Sequence, residues 1–126
     1  MNWTTIRKTP ELSEPTPNPA DATPFSWEAA RAELEGLPGG GLNIAHEAVD
    51  RQVRAGHGEM IALRWLGKNG ERREFSYAEL ARSSNRFANG LNRLGIQRGD
   101  RICVLAGRIP ELYIAALGTL KIGAVF

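Results

Sequence analysis

The stretch Arg101–Phe126, RICVLAGRIPELYIAALGTLKIGAVF, decides the fold class. It begins with an apolar run, Arg101–Ala106, that is typical of a buried strand. Pro110 then stands at a favourable first helical position, and the residues that follow it are apolar on almost every side, which predicts a buried helix. A second apolar run begins at Ala124. Strand, helix and strand in so short a span predict a βαβ unit and therefore a parallel sheet.

A parallel sheet needs cover on both faces and more than two strands. The sequence offers only these two parallel strands, so it predicts an α/β fold that is the start of a larger parallel sheet with covering helices. The last apolar run, Lys121–Phe126, is followed by no polar tail. We interpret the end of the sequence as a cut through that sheet, and the chain as a fragment.

A long amphipathic helix is predicted upstream, over Ser76–Leu94. Ser76 and Glu79 have the spacing of a capping box, and Gly95 is a natural stop. The apolar positions recur at helical spacing and form one stripe: Tyr77, Leu80, Ala81, Ser84, Phe87, Ala88, Leu91 and Leu94. This stripe predicts a helix that packs one face against the sheet.

A β-hairpin is predicted before that helix. Ile61–Leu66 is typical of a strand, and Asn69-Gly70 is a strong turn signal because both residues accept the positive φ of a tight turn. Arg73–Tyr77 is the expected return strand.

The N-terminal part divides into an arm and a helical segment. Residues 1–24 contain five prolines and predict a Pro-rich extended arm, since proline supports neither a helix interior nor a sheet ladder. Residues 25–60 predict two helices, Trp27–Glu35 capped by Ser26 and Ile44–Arg54 capped by Asn43. The rest, residues 61–126, is expected to be an incomplete α/β domain.

Composition excludes several classes of protein. The chain has 126 residues, is 42% hydrophobic and 24% charged, and carries a net charge of +2, which is typical of a globular protein. No apolar run is long enough to span a membrane, and no secretory signal is visible. The single cysteine fits a reducing compartment, so we expect a cytoplasmic protein. The basic residues alternate with acidic ones and do not form a run, which disfavours nucleic-acid binding.

Candidate chemical features are few, and each has a plain structural interpretation. Gly39-Gly40-Gly41 lacks the strand, Lys and Ser or Thr of a phosphate loop and is interpreted as a linker. Gly107 and Arg108 precede a helix, where an anion could bind, but a simple βα turn is favoured. His46 and His57 lack further ligands at zinc spacing. Cys103, inside an apolar run, is expected to be buried and inert.

Arginines supply the remaining candidates. Arg82, Arg86 and Arg93 fall on one face of the predicted long helix. A solvated face is favoured, and the alternative is a docking edge for another subdomain. Arg98-Gly99-Asp100 has the letters of an integrin-binding tripeptide but predicts a turn before a strand. The residues by themselves give no catalytic group, no cofactor-binding group and no metal site.

Several motifs from Leu42 onward resemble a known family. They are Leu42-Asn43-Ile44-Ala45 with Val49-Asp50-Arg51, Phe75–Leu80, Ser84–Leu91 with Leu94-Gly95 and Arg98–Arg101, and Ile109–Leu112 with Ala115–Gly118 and Lys121–Ala124. Together with Phe25-Ser26-Trp27 they resemble the N-terminal region of AMP-forming acetyl-CoA synthetases, in the adenylate-forming acyl-CoA synthetase superfamily. One departure is Gln52, where the family usually has His.

The resemblance implies an enzyme that joins a small carboxylate, with acetate the expected one, to coenzyme A. ATP and the acid would give an acyl-adenylate and pyrophosphate, with Mg²⁺ neutralising the phosphates, and the thiol of coenzyme A would then displace AMP. The family's phosphate loop, nucleotide contacts and catalytic lysine have no counterpart among these residues. The chain alone is therefore expected to be inactive and to bind none of these cofactors, and its partner would be the remainder of its own chain.

Two alternatives stay open at this stage. The chain could be a stand-alone α/β binding or interaction module, or it could be a fragment of a longer-chain acyl-CoA synthetase.

Overall fold

The computed structural model describes residues 24–126, and the chain divides into two units, Met1–Glu33 and Leu34–Phe126. The predicted Pro-rich arm, residues 1–24, lies outside the described residues except for Pro24. In the first unit, helix α1 spans Trp27–Ala32 and Ser26 caps it by accepting a hydrogen bond from the backbone nitrogen of Ala29 at 3.2 Å. The cap was predicted correctly, but the helix ends earlier than Glu35.

The second unit begins with a helical stretch that departs from the predicted α-helix. The side-chain oxygen of Asn43 accepts from the backbone nitrogens of Ala45 and His46, at 3.0 and 3.2 Å, which confirms the predicted cap. The stretch then contains two π-helical turns, His46–Asp50 and Val53–His57. It continues past Arg54 until Gly56, whose φ of 87° interrupts the helical backbone.

The predicted hairpin is confirmed. Strand β1 spans Ile61–Leu66 and pairs antiparallel with strand β2, Arg72–Ser76, in a two-stranded sheet. Gly70 has a φ of 84° in the turn, as its place beside Asn69 predicted. The return strand begins one residue earlier than expected.

Helices α2, Tyr77–Arg93, and α3, Pro110–Lys121, form the packed layer of the unit. The capping box of α2 is present, since the Glu79 carboxylate accepts from the Ser76 backbone nitrogen at 2.8 Å and the Ser76 hydroxyl accepts from the Glu79 nitrogen at 3.2 Å. The two helices approach closely at Gly118, where an added Cβ would lie 2.8 Å from both the Phe87 ring and the Ser84 carbonyl oxygen. The core joins this layer to the hairpin and the π-helical turns around Val49, Leu80 and Ala81.

A part-buried polar junction ties the same elements together. The ammonium group of Lys121, on a side chain only 9% exposed, donates to Asp50 at 2.6 Å and to Asn85 at 2.7 Å. The Asn43 side chain donates to the Leu120 carbonyl at 2.6 Å. Since a buried ammonium group is stable only when it is paired, these contacts fix the end of α3 against α2 and the first π-helical turn.

The predicted strand Arg101–Ala106 is wrong for the residues that the structure describes. The βαβ pattern is reduced to one parallel bridge, in which Arg101 lies beside Val125. The Ile102 nitrogen donates to the Val125 carbonyl at 2.8 Å, and the Val125 nitrogen donates to the Asp100 carbonyl at 2.7 Å. The parallel sense is as expected, but a strand needs a neighbour along its length and residues 124–126 reach only its beginning. The α/β class is confirmed.

Candidate functional site

The most unusual surface of the second unit is an apolar edge that has no cover among the described residues. We call it the open edge and define it as residues 101–106 together with Val125 and Phe126. A groove of about 460 Å³ runs along it, lined by Arg101, Ile102, Cys103, Val104, Val125 and Phe126. Leu105 is fully exposed, and about half of the Val125 and Phe126 surfaces is exposed. An exposed apolar surface of this kind marks a place where another part of a protein packs.

Most backbone N–H and C=O groups of the open edge also lack hydrogen-bond partners among the described residues. Ile102 and Val125 make the backbone hydrogen bonds of the parallel bridge. Residues 103–106 make no backbone hydrogen bond to any other residue in 24–126. The free N–H and C=O groups of an extended segment can pair with a further strand. Chemically, the open edge can therefore bind a strand and an apolar layer.

The loop that follows the open edge is anchored to the hairpin. The indole nitrogen of Trp65 donates to the carbonyl of Arg108 at 2.6 Å. One residue into α3, the Glu111 carboxylate pairs with the Arg73 guanidinium at 3.1 Å. The Glu111 backbone N–H and, next, Arg73 hold the pKa of this carboxyl below its usual value. These contacts position the start of α3 against β1 and β2.

The structure separates the candidate residues instead of bringing them together. Arg108 is exposed and makes no ion pair with a described residue. His46 accepts from Arg54 at 2.6 Å and His57 faces Gln52 at 3.1 Å. Over residues 24–126, no three His, Cys, Asp or Glu side chains are grouped so that they could hold a metal ion.

Cys103 requires a correction, because it is exposed and not buried. Its apolar neighbours predicted burial, but burial needs a second layer, and none of the described residues covers the open edge. The triple glycine forms a turn closed by the Leu37 nitrogen and the Gly41 carbonyl at 2.7 Å. This turn agrees with the linker interpretation.

The remaining arginines lie on surfaces. Arg82, Arg86 and Arg93 are exposed on α2. Arg98-Gly99-Asp100 is a turn, in which the Asp100 carboxylate accepts from the Gln97 nitrogen at 2.8 Å. The turn was predicted correctly.

Two positioning residues were not identified from the sequence. Lys121 stands among apolar residues, and a lone charge there was a usable signal for a buried ion pair. Trp65 gave no comparable signal, because its partner is a backbone carbonyl 43 residues away.

Helix α2 and the other described helices are too short or too polar to cross a membrane.

Comparison with known proteins finds similar sequences and similar structures. Residues 49–126 match the family described as AMP-binding enzyme. The chain is 46% identical over 101 residues to the acetyl-coenzyme A synthetase of Deinococcus radiodurans, covering 80% of the chain and 15% of that protein. It is 45% identical over 85 residues to the same-named protein of Streptomyces avermitilis, covering 68% of the chain and 13% of that protein.

Solved structures give the same result. An acyl-CoA synthetase of Brucella canis superposes with a TM-score of 0.71 at 34% identity, over 79% of this chain and 18% of that one. An acetoacetyl-CoA synthetase of Streptomyces lividans superposes with a TM-score of 0.60 at 30% identity, over 67% of this chain and 13% of that one. The chain thus spans less than a fifth of the length of these relatives.

Proposed function

Because the chain belongs to the family of AMP-binding enzymes, we propose that it is the N-terminal part of an ATP-dependent acid–CoA ligase. In that reaction a carboxylate oxygen of the acid attacks the α-phosphorus of ATP, and pyrophosphate leaves. The thiol of coenzyme A then attacks the acyl carbon of the adenylate, and AMP leaves. The barrier to such substitutions is lowered mainly by positioning and by charge stabilisation.

The proposed role of this chain in that enzyme is structural. The open edge would receive the next strands of a parallel sheet, and α2 and α3 would form one of the layers that cover it. The observation that carries this proposal is the open edge itself, with its unpaired backbone and exposed Leu105, in a chain that matches a family of much longer proteins. We propose the corresponding division into residues 1–24, a helical segment 25–60 and an incomplete α/β domain 61–126.

The chemistry itself is assigned to no residue of this chain. Among residues 24–126 no carboxylate set fits Mg²⁺. The acid is proposed to be acetate, because curated relatives at 40–46% identity are named acetyl-coenzyme A synthetase. The proposed compartment is the cytoplasm.

A direct assay tests whether this chain alone carries out the first step of the ligase reaction. The chain is incubated with ATP, acetate, Mg²⁺ and coenzyme A, and pyrophosphate release is measured. We expect no release above background. Turnover by the chain alone would overturn the structural role.

A chimera tests the proposal more sharply. The 101 matched residues of the Deinococcus radiodurans relative are replaced by the corresponding residues of this chain, and pyrophosphate and acetyl-CoA formation are measured. We expect activity within about tenfold of the parent enzyme, because 46% identity preserves the packing pattern. The matched control carries Leu105→Lys in the same chimera and should lose most activity, since a charge would be buried in the completed sheet. An inactive but soluble chimera would contradict the proposal.

A further inference from the structure

Two adjoining grooves lie between β2, α2 and α3, on a surface separate from the open edge. Their volumes are about 540 and 510 Å³, and both are lined by Phe75, Ser83 and Arg86. Arg82 lines the first of them. We call the continuous surface the arginine groove, formed by Phe75, Arg82, Ser83 and Arg86.

The two arginines of the groove have no carboxylate partner among the described residues. Arg82 and Arg86 are exposed and stand one helical turn apart on α2. Five other arginines of the unit are paired instead: Arg51, Arg54, Arg64, Arg72 and Arg73. Residues 34–126 contain 13 basic and 9 acidic residues. The unit therefore has a net positive charge, to which Arg82 and Arg86 contribute.

The floor of the groove is apolar. Phe75 and Phe87 are half-buried, and Ile114 on α3 continues the floor. A ligand that fits must therefore bring both an apolar group for the floor and negative charge for the arginines.

We propose that the arginine groove binds an acidic segment of a partner protein. Side chains four residues apart on a helix lie about 6 Å apart, so Arg82 and Arg86 match two carboxylates at similar spacing on either side of an apolar side chain. Guanidinium groups bind carboxylates through paired, charge-assisted hydrogen bonds, which would fix the register of the segment. This inference does not depend on the proposed ligase function.

The geometry favours a peptide over a nucleic acid. The Arg73 guanidinium lies 5.1 Å from the centre of the Phe75 ring and covers one face of it, which leaves that face closed to a stacked base. Glu79 and Glu111 also line the walls. Glu79 is bonded to the Ser76 backbone nitrogen and Glu111 to Arg73, which leaves Arg82 and Arg86 as the charges without a described partner there.

The test uses the full chain and a synthetic twelve-residue peptide that repeats Glu-Glu-Leu, with a Gln-Gln-Leu peptide of equal length for comparison. Amide chemical shifts of the nitrogen-15-labelled protein are followed during titration. We expect the glutamate peptide to shift resonances of residues 73–87 and the glutamine peptide to bind at least tenfold more weakly. Failure of the glutamate peptide to bind, or equal binding of both, would overturn the proposal.

Variants locate the binding surface. Arg82→Gln combined with Arg86→Gln should weaken the glutamate peptide at least tenfold, with an unchanged far-ultraviolet circular dichroism spectrum. Arg93→Gln is the matched control, because it removes a charge from the same helix outside the groove, and it should change affinity less than twofold. Replacement of Arg82 and Arg86 by lysine should cause an intermediate loss, since lysine keeps the charge without the paired donors.

Two results would reject this assignment. Arg93→Gln could weaken binding as much as the double variant, which would indicate unspecific attraction. A single-stranded decanucleotide of uridine could bind more tightly than the peptide, which would assign the groove to nucleic acid.

Discussion

Thr119 carries the one side-chain oxygen that is buried without a hydrogen-bond partner among the described residues. It lies in α3 and has no exposed surface. Burial of an unpaired hydroxyl costs about 1–3 kcal/mol, whereas valine has nearly the same shape and no polar atom. Thr119→Val should therefore raise the free energy of unfolding by about 1 kcal/mol in guanidinium titrations. Thr119→Ser keeps the hydroxyl and loses a methyl group, so it should destabilise the chain; a stabilising serine would contradict this explanation.

Glu47 is the residue whose charge is most firmly held by backbone donors. Its carboxylate accepts from the Gly36 nitrogen at 2.7 Å and pairs with Arg51 at 3.1 Å. The Gly36 N–H, as the largest cause, lowers the pKa of Glu47 from its ordinary value of 4.5. A lowered pKa in the folded state means that the contribution to stability is complete above pH 4.5 and is lost as the pH falls through the folded-state pKa.

Glu47→Gln should consequently lower the thermal midpoint at pH 7 and flatten its decline below about pH 4.5. Thermal unfolding from pH 3 to pH 7 measures both effects. The matched control is Glu59→Gln, because Glu59 is exposed and its side chain bonds to no described residue. If the thermal midpoints of the Glu47→Gln variant and the unaltered chain fell equally at low pH, other carboxylates would be responsible for the loss of stability in acid.

At the level of elements, local signals were sufficient for the caps and the turn, whose partners are close in sequence. The Ser76–Glu79 capping box, the Asn69-Gly70 turn and the Asn43 cap all depend on residues within a few positions, and all are present. Residues 101–106 have the composition of a strand, but pairing depends on residues far away in the sequence, and only Val125 is in place. The exposure of Cys103 follows from the same missing neighbours. The open edge could therefore be predicted as apolar from the sequence, but its lack of pairing could not.

The packing of α2 on α3 depends on a glycine whose role was not predicted. At Gly118 an added Cβ would lie 2.8 Å from the Phe87 ring and from the Ser84 carbonyl. Overpacking of this kind costs about 1–3 kcal/mol, more than the roughly 0.5–1 kcal/mol that Gly→Ala gains in a helix. Gly118→Ala should thus lower the free energy of unfolding measured with urea.

Gly90 on α2 provides the matched control, since an added Cβ there would meet no atom within 4 Å. Gly90→Ala should stabilise the chain by about 0.5–1 kcal/mol, because only the backbone term remains. If both alanine variants were stabilising, the helices would have to separate easily, and the contact at Gly118 would not limit their approach.

At the scale of the whole molecule, the second unit combines a well-packed helical layer with an apolar edge that has no packing partner among the described residues. The Lys121–Asp50 pair, the capping box and the Gly118 contact hold α2, α3 and the π-helical turns together. The open edge beside them has neither a strand partner nor a cover among the described residues. Such an exposed edge favours association between copies and binding of apolar dyes.

Leu105→Lys should reduce that association, because a lysine on an unpaired edge opposes strand pairing between chains. Sedimentation velocity and the fluorescence of anilinonaphthalene sulfonate measure the effect, and we expect a smaller associated fraction and at least a twofold loss of dye signal. Leu94→Lys is the matched control, since Leu94 is 79% exposed but lies at the end of α2, away from the open edge. It should leave both signals nearly unchanged. Equal effects of the two substitutions would mean that total surface hydrophobicity, and not the open edge, drives association. A chain that is monomeric without substitution would show that the open edge is too short to pair by itself.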